Sequence, residues 1–181
     1  MAKYKGAGLA ALKKQIVDLG SAKEQELLAK LTPEEKQVYT AVLSSAWLPI
    51  DIAAHLLQKG AEVISPGNPD LGLHQIGLFQ ARYNLAGIYK PLMRITTVYF
   101  VVQQAAKLWT TYFDRGQALA VKVADKNLIE FSVDDFPELP YSNRRIVNGF
   151  IEGTLEFTGT KNIRVTHQSE NSQSWKWHII W

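Results

Sequence analysis

The sequence predicts an α+β fold in which an N-terminal helical array precedes a four-stranded antiparallel sheet covered by helices on one face. Three observations carry the prediction. Apolar residues recur at helical spacing through roughly residues 1–115, the period changes to two near residue 119, and a hairpin, a helix and a second hairpin follow. The chain has 181 residues, 46% of them apolar. That is enough to build a core without a disulfide or structural metal, and a single domain over residues 1–181 is expected.

The helices are justified in turn. Leu9, Leu12, Ile16 and Leu19 recur at three- and four-residue steps, and Gly20 supplies a stop. Ser21 is placed to cap a second helix through Leu31, with Glu24 three residues on. Thr32-Pro33-Glu34-Glu35 combines a hydroxyl cap, a proline at the first helical position and a glutamate at the third, and predicts a helix to about Ser45. Pro49 opens a stretch with Ile52, Leu56 and Val63 on one stripe. Two prolines and a glycine make residues 65–70 a loop. Beyond it, Leu73, Ile76, Tyr83 and Ile88 trace a helix ending near Lys90-Pro91, and another runs from about Thr96 to Phe113, closed by Asp114-Arg115-Gly116.

The strands follow. Apolar residues alternate in residues 119–123 and again in residues 129–133, with a short polar connection between them, so the two form a hairpin. Residues 141–158 return to helical spacing after Pro137 and Pro140, with Ser142 or Asn143 as the expected cap. A last hairpin pairs residues 163–167 with residues 175–181; a turn centred near Asn171 sets Trp175 opposite His167 and His178 opposite Arg164. Alternation puts His167 on the tryptophan face and His178 on the other, so the two cannot chelate one metal.

Composition removes several function classes. Without cysteine there is no thiolate nucleophile, iron–sulfur cluster, disulfide or Cys-ligated zinc. Twenty basic and 17 acidic residues are spread over both halves, so there is no focused basic face and no nucleic-acid partner is expected. Apolar runs stop short of a membrane span or a secretory leader, which predicts a cytoplasmic protein. Gly6-Ala7-Gly8-Leu9-Ala10-Ala11 matches the relaxed dinucleotide-binding pattern, but no buried parallel strand can precede it. Asp134-Asp135 reads as a solvated turn. No catalytic constellation emerges, and the protein is expected not to be an enzyme.

What remains is aromatic and apolar. Gly149 and Gly153 lie four residues apart inside a helix, each costing about 1 kcal/mol relative to alanine, so the lost side chains must allow a close approach or an open groove. Gly77 and Ala81 make a similar seam. Trp175, Trp177, Ile179 and Trp181 form one strand face that should meet the core. The candidate ligand-binding residues are Trp109, Tyr112, Gly149, Phe150, Gly153, Trp175 and Trp177, around an apolar small molecule held between helices and sheet. Two alternatives stay open: a scaffold that forms a homodimer through a helical face, and a haem-based gas sensor using His55 or His74. No cofactor and no metal are expected.

Residues 146–153, with the hairpin residues 163–167 and 175–181, resemble the end of 4-vinyl reductase domains. The same fold family is identified as including TRAPP vesicle-tethering subunits and haem-based nitric-oxide-binding domains. Tyr141-Ser142-Asn143-Arg144-Arg145 is similar to the Tyr-x-Ser-x-Arg signature that grips haem propionates in the latter, with Asn143 at the middle position. Trp47-x-Pro49, Arg82-Tyr83 and Trp109-x-x-Tyr112 resemble an uncharacterised bacterial family expanded in myxobacteria. The resemblance implies a small-molecule or hydrocarbon sensor, or a scaffold that dimerises through its helices. Residues 168–174 lack the cysteines that ligand- or metal-binding 4-vinyl reductase domains often carry there, and the acylated cysteine of TRAPP subunits has no counterpart.

Overall fold

The computed structural model describes residues 1–85, 97–124, 126–170 and 174–181. It opens on a two-stranded ribbon that the sequence did not predict, β1 (Lys3–Lys5) paired antiparallel with β2 (Trp47–Pro49), with Tyr4 opposite Leu48. Three-residue strands are too short to show a period of two. Helix α1 (Gly6–Asp18) starts directly from β1, and the two glycines of the Gly-x-Gly pattern explain how. The Gly6 N–H donates to the Ala46 carbonyl at 2.9 Å, and a Cβ on Gly6 would sit 2.1 Å from the Leu43 oxygen. A Cβ on Gly8 would overlap the Tyr4 ring. Both glycines serve close packing.

Helices α2 (Ser21–Ala29) and α3 (Pro33–Ala41) follow. The cap of α2 is Gly20, at φ 105°, not Ser21, which lies inside the first turn. The cap of α3 is the predicted box: the Glu35 N–H donates to Thr32 Oγ1 at 3.3 Å and the Thr32 N–H donates to the Glu35 carboxylate at 2.9 Å. The helix ends at Ala41 and not near Ser45, because Val42 adopts ψ 127° and the chain turns toward β2. Helices α4 (Ile50–Ile64), α5 (Pro69–Leu85) and α6 (Val98–Tyr112) complete the layer. The Leu71 N–H donates to Asn68 Oδ1 at 3.1 Å, and the Phe100 N–H donates to Thr97 Oγ1 at 3.2 Å. The expected end of α5 near Lys90 falls outside the described residues.

The four-stranded sheet has β3 (Gln117–Lys122), β4 (Leu128–Asp134), β5 (Arg164–Glu170) and β6 (Ser174–Ile180) in the order β3-β4-β6-β5, every pair antiparallel. Helix α7 (Tyr141–Glu156) joins the hairpins. The fold class is therefore as predicted, but two details differ. Pro140 is the N-cap of α7, and Ser142 and Asn143 are buried in its first turn. In the last hairpin His167 pairs with Trp177 and Arg164 with Ile180, two positions from the predicted register, with a bulge between His167 and Ser169. Glu170 pairs with Trp175, so the hairpin folds about a point past Asn171 and the partners move along with it. On its other side β6 is anchored by its indoles, Trp175 Nε1 donating to the Phe136 carbonyl and Trp177 Nε1 to Asn148 Oδ1, each at 2.7 Å. His167 does share the tryptophan face, 5.1 Å from the Trp177 ring centroid.

Helices α5 and α7 cross with their backbones almost touching. A Cβ on Gly77 would lie 2.2 Å from the Ile146 oxygen, one on Gly149 2.0 Å from the His74 oxygen, and one on Gly153 2.9 Å from Ala81 Cβ. Alanine at position 149 gains about 1 kcal/mol of helix propensity. The carbonyl it meets cannot move aside cheaply, and overpacking costs about 1–3 kcal/mol. Gly149→Ala should therefore lower the urea midpoint, by a net loss of about 1 kcal/mol. An unchanged midpoint would mean the two helices can separate freely.

Glu35 also supplies a pH test. Burial pushes its carboxyl up, but the Thr32 N–H and the His55 ring beside it outweigh burial, and the carboxyl sits below its ordinary range. A depressed carboxyl stabilises the fold above its unfolded value and loses that contribution as pH falls through the folded value. Glu35→Gln should cost about 1 kcal/mol at neutral pH, measured by urea unfolding, and the deficit should shrink on acidification below the usual carboxylate range.

Candidate functional site

A cavity of about 50 Å³ lies where β1, α5, α6, β4 and α7 meet. Tyr4 and Gln80 form one side. The Tyr4 hydroxyl donates to Gln80 Oε1 across a long 3.5 Å, and Gln80 Nε2 donates to the Gly8 carbonyl at 3.1 Å. Burial, and then the nearby Tyr112 hydroxyl, push the Tyr4 phenol well above its usual value, so it is neutral. Trp109 and Tyr112 come from successive turns of α6, and Phe131 comes from β4. From α7 the wall takes Asn143, Ile146, Val147 and Phe150, one face at helical spacing. Tyr112 and Phe150, both half-buried, meet edge to face with centroids 5.5 Å apart.

Asn143 is the exceptional member of this wall. It is 1% exposed, and neither its Oδ1 nor its Nδ2 has a hydrogen-bond partner. An orphaned buried polar group costs about 1–3 kcal/mol. Five positions further along α7, Asn148 is also buried but accepts the Trp177 indole N–H. One asparagine is thus spent on the core, and the other faces a cavity with its amide unmet.

The predicted site residues separate into groups. Trp109, Tyr112 and Phe150 converge on the cavity; Gly149 and Gly153 face α5; Trp175 and Trp177 lie in the core, Trp177 behind Phe131 at a centroid distance of 5.8 Å. Sequence reasoning missed Tyr4, Gln80 and Asn143. Asn143 carried a signal, since it begins the stripe Asn143, Ile146, Val147, Phe150 and is a poor residue inside a helix. Tyr141 and Arg145, the outer members of the signature-like segment, both engage Asp70: the Tyr141 hydroxyl donates to its carboxylate at 2.8 Å, and the Arg145 guanidinium lies 3.5 Å away.

This layering of helices over an antiparallel sheet, with a cleft between them, defines a known architecture. It is the H-NOX, or haem-NO-binding, fold. An H-NOX protein from S. oneidensis in its Fe(II)NO ligation state superimposes with a TM-score of 0.70 at 13% identity, covering 98% of this chain and 99% of that one. The Fe(II) unliganded H-NOX protein from K. algicida gives 0.68 at 10% identity, covering 97% and 95%. A structure from a study of haem distortion in the H-NOX family gives 0.64 at 15% identity, covering 98% and 94%. No protein-family model matches the sequence, and no curated protein matches it either. Of the relatives that the sequence resembles, the haem-NO-binding domain is the one these neighbours represent. They also correct the expectation that no cofactor is bound: proteins of this fold are described with Fe(II) and with haem, so the absence of a cofactor does not follow from composition.

The residues on hand are a poor match to a histidine-held haem. All four histidines are described, and none lines the cavity. His55 lies against Glu35, His74 Nε2 is 3.0 Å from Glu152, His167 packs on Trp175 and Trp177, and His178 faces Glu130 at 3.6 Å. The buried, neutral Tyr4 phenol is a weak iron ligand, and at 50 Å³, against the ~300 Å³ at which ligand pockets begin, the cavity admits neither a porphyrin nor any other organic molecule until its walls part. Among the described residues no helix is long and apolar enough to cross a membrane, and no three His, Asp or Glu side chains cluster as a metal site.

Trp177 belongs to the core, and this can be checked. Asn148→Leu keeps the volume but strands the indole N–H, and should cost about 1–3 kcal/mol in urea unfolding. A neutral result would mean that Trp177 finds another acceptor.

Proposed function

We propose that this chain is a non-enzymatic sensor module that binds a small, flat, largely apolar molecule in the cleft between α5, α6 and α7. The observation that supports the reading is Asn143, an amide buried in an aromatic wall with both polar atoms unmet. Native folds satisfy nearly all such groups, and a ligand carrying a hydrogen-bonding group would satisfy this one. The aromatic faces of Trp109 and Phe150 would cover the ligand's apolar body, and Tyr112 with Phe150 would have to part for it to enter. Gas sensing through haem is the second reading, favoured by the Fe(II) and haem chemistry of the neighbouring structures. On that reading the iron's protein ligand is not one of the four histidines where they now stand.

Titration of the full chain with anilinonaphthalene sulfonate, and separately with haemin, tests both. The first reading expects saturable one-to-one binding of the sulfonate with quenching of tryptophan emission. In Asn143→Leu that binding should weaken about tenfold, while the unliganded fold is unchanged or about 1 kcal/mol more stable because the orphaned amide is gone. A Soret band that appears with haemin and shifts on adding nitric oxide supports the second reading in place of the first. Failure of both probes to bind saturably overturns both.

A further inference from the structure

Strand β3 forms one edge of the sheet. The Val123 N–H donates to the Leu128 carbonyl at 2.9 Å, which fixes the alternation of the β3–β4 ladder. Val121, Leu119 and Gln117 therefore exchange hydrogen bonds with β4, and Ala118, Ala120 and Lys122 turn their N–H and C=O groups to the open side. Among the described residues no strand pairs there. Natural edges are blunted by proline, a bulge, very short length or charged side chains, and β3 carries a single charge, Lys122 at its end. Six-residue β3 has no proline and pairs with β4 in unbroken register.

A groove of about 230 Å³ runs along this edge, with Gln103, Ala106 and Lys107 of α6 as its other wall. The two sides of the edge differ in chemistry. Leu119 and Val121 point to the outer face of the sheet and are 56% and 49% exposed. Alternation puts Lys122 on the α6 side, with Ala118 and Ala120. Lys107 and Lys122 have no ion-pair partner among the described residues, and neither α6 nor β3 contains a carboxylate. An added strand would thus meet cations with one set of alternate side chains and aliphatic surface with the other.

We infer that the β3 edge receives an extended segment of a partner protein whose side chains alternate between acidic and apolar, the carboxylates facing Lys107 and Lys122 and the apolar groups lying beside Leu119 and Val121. The segment adds a fifth strand: main-chain hydrogen bonds to Ala118, Ala120 and Lys122 hold it, and the alternation sets its register. The cleft plays no part in this.

Fluorescence anisotropy of the full chain with a labelled peptide of alternating glutamate and valine, and with its lysine and valine counterpart, tests the assignment. The acidic peptide should bind saturably and more weakly as salt is raised, and the basic peptide should not bind. Lys107→Glu combined with Lys122→Glu should weaken the acidic peptide at least tenfold and admit the basic one. Ala120→Pro blocks the edge without removing a β3–β4 hydrogen bond and should abolish binding of the acidic peptide. Absence of acidic-peptide binding, or binding indifferent to the charge exchange in a variant with an unchanged urea midpoint, overturns the proposal. So does light scattering that shows a dimer which Ala120→Pro dissolves, since a second copy then occupies the edge.

Discussion

Where α5 crosses α7, Gly77 sits under the carbonyl of Ile146 and Gly149 under that of His74. No side chain intervenes, so the two helices approach as closely as their backbones permit. The cavity depends on that contact. It sets Gln80, one turn beyond Gly77, and Asn143, at the start of α7, at the same depth. Polar ties bracket the crossing: Tyr141 and Arg145 hold Asp70 at one end, His74 meets Glu152 in the middle, and Arg82 grips Glu156 with two hydrogen bonds of 2.9 and 2.7 Å at the other. Pairs as exposed as these contribute about 0–1 kcal/mol each. They fix the register of the two helices, and the glycine contact with the surrounding burial supplies the stability.

The same helix that makes the crossing also carries the unmet amide. Its buried face changes along its length, from Asn143 facing a cavity, through glycines facing α5, to Asn148 facing the sheet core. Glu152 extends the network by accepting the Val165 N–H at 3.2 Å, which ties β5 to α7. Among the side chains of this helix, Asn143 alone has both of its polar atoms buried and unmet. The exception is informative because other polar members of the wall are engaged elsewhere, Tyr4 with Gln80, Gln80 with the Gly8 carbonyl and Trp109 with the Arg115 carbonyl.

Much of this was legible in the sequence. Period, caps and loop residues located α3, α5 and both hairpins, and the paired glycines announced a close helix contact before its partner was known. The failures share a physical cause. The β1–β2 ribbon is too short for periodicity, the end of α3 was decided by pairing of residues more than 40 positions apart, and the last register turns on where the hairpin folds and on a bulge between His167 and Ser169, neither of which periodicity reveals. For the site, aromatic content pointed to Trp109, Tyr112 and Phe150. Tyr4 and Gln80 reach the cavity through tertiary packing between segments 76 positions apart, and a single sequence carries no trace of that. Asn143 was read as a cap because Pro140 precedes it, although its place in the apolar stripe argued otherwise.

Tyr4 belongs to two structures at once. Its ring walls the cavity, while its backbone pairs with Leu48 in the ribbon and bridges to Phe113 at the end of α6, where Lys3 and Asp114 add two more hydrogen bonds. A ring locked to its strand in this way acts as a lever arm with the ribbon as its fulcrum. Gly8 backs the ring on one side and Phe113 packs on it at a centroid distance of 5.2 Å, so side chain and strand are placed together. Whatever sits against the phenol in the cleft therefore sits against a residue whose backbone is tied to Leu48, beside the exposed Trp47.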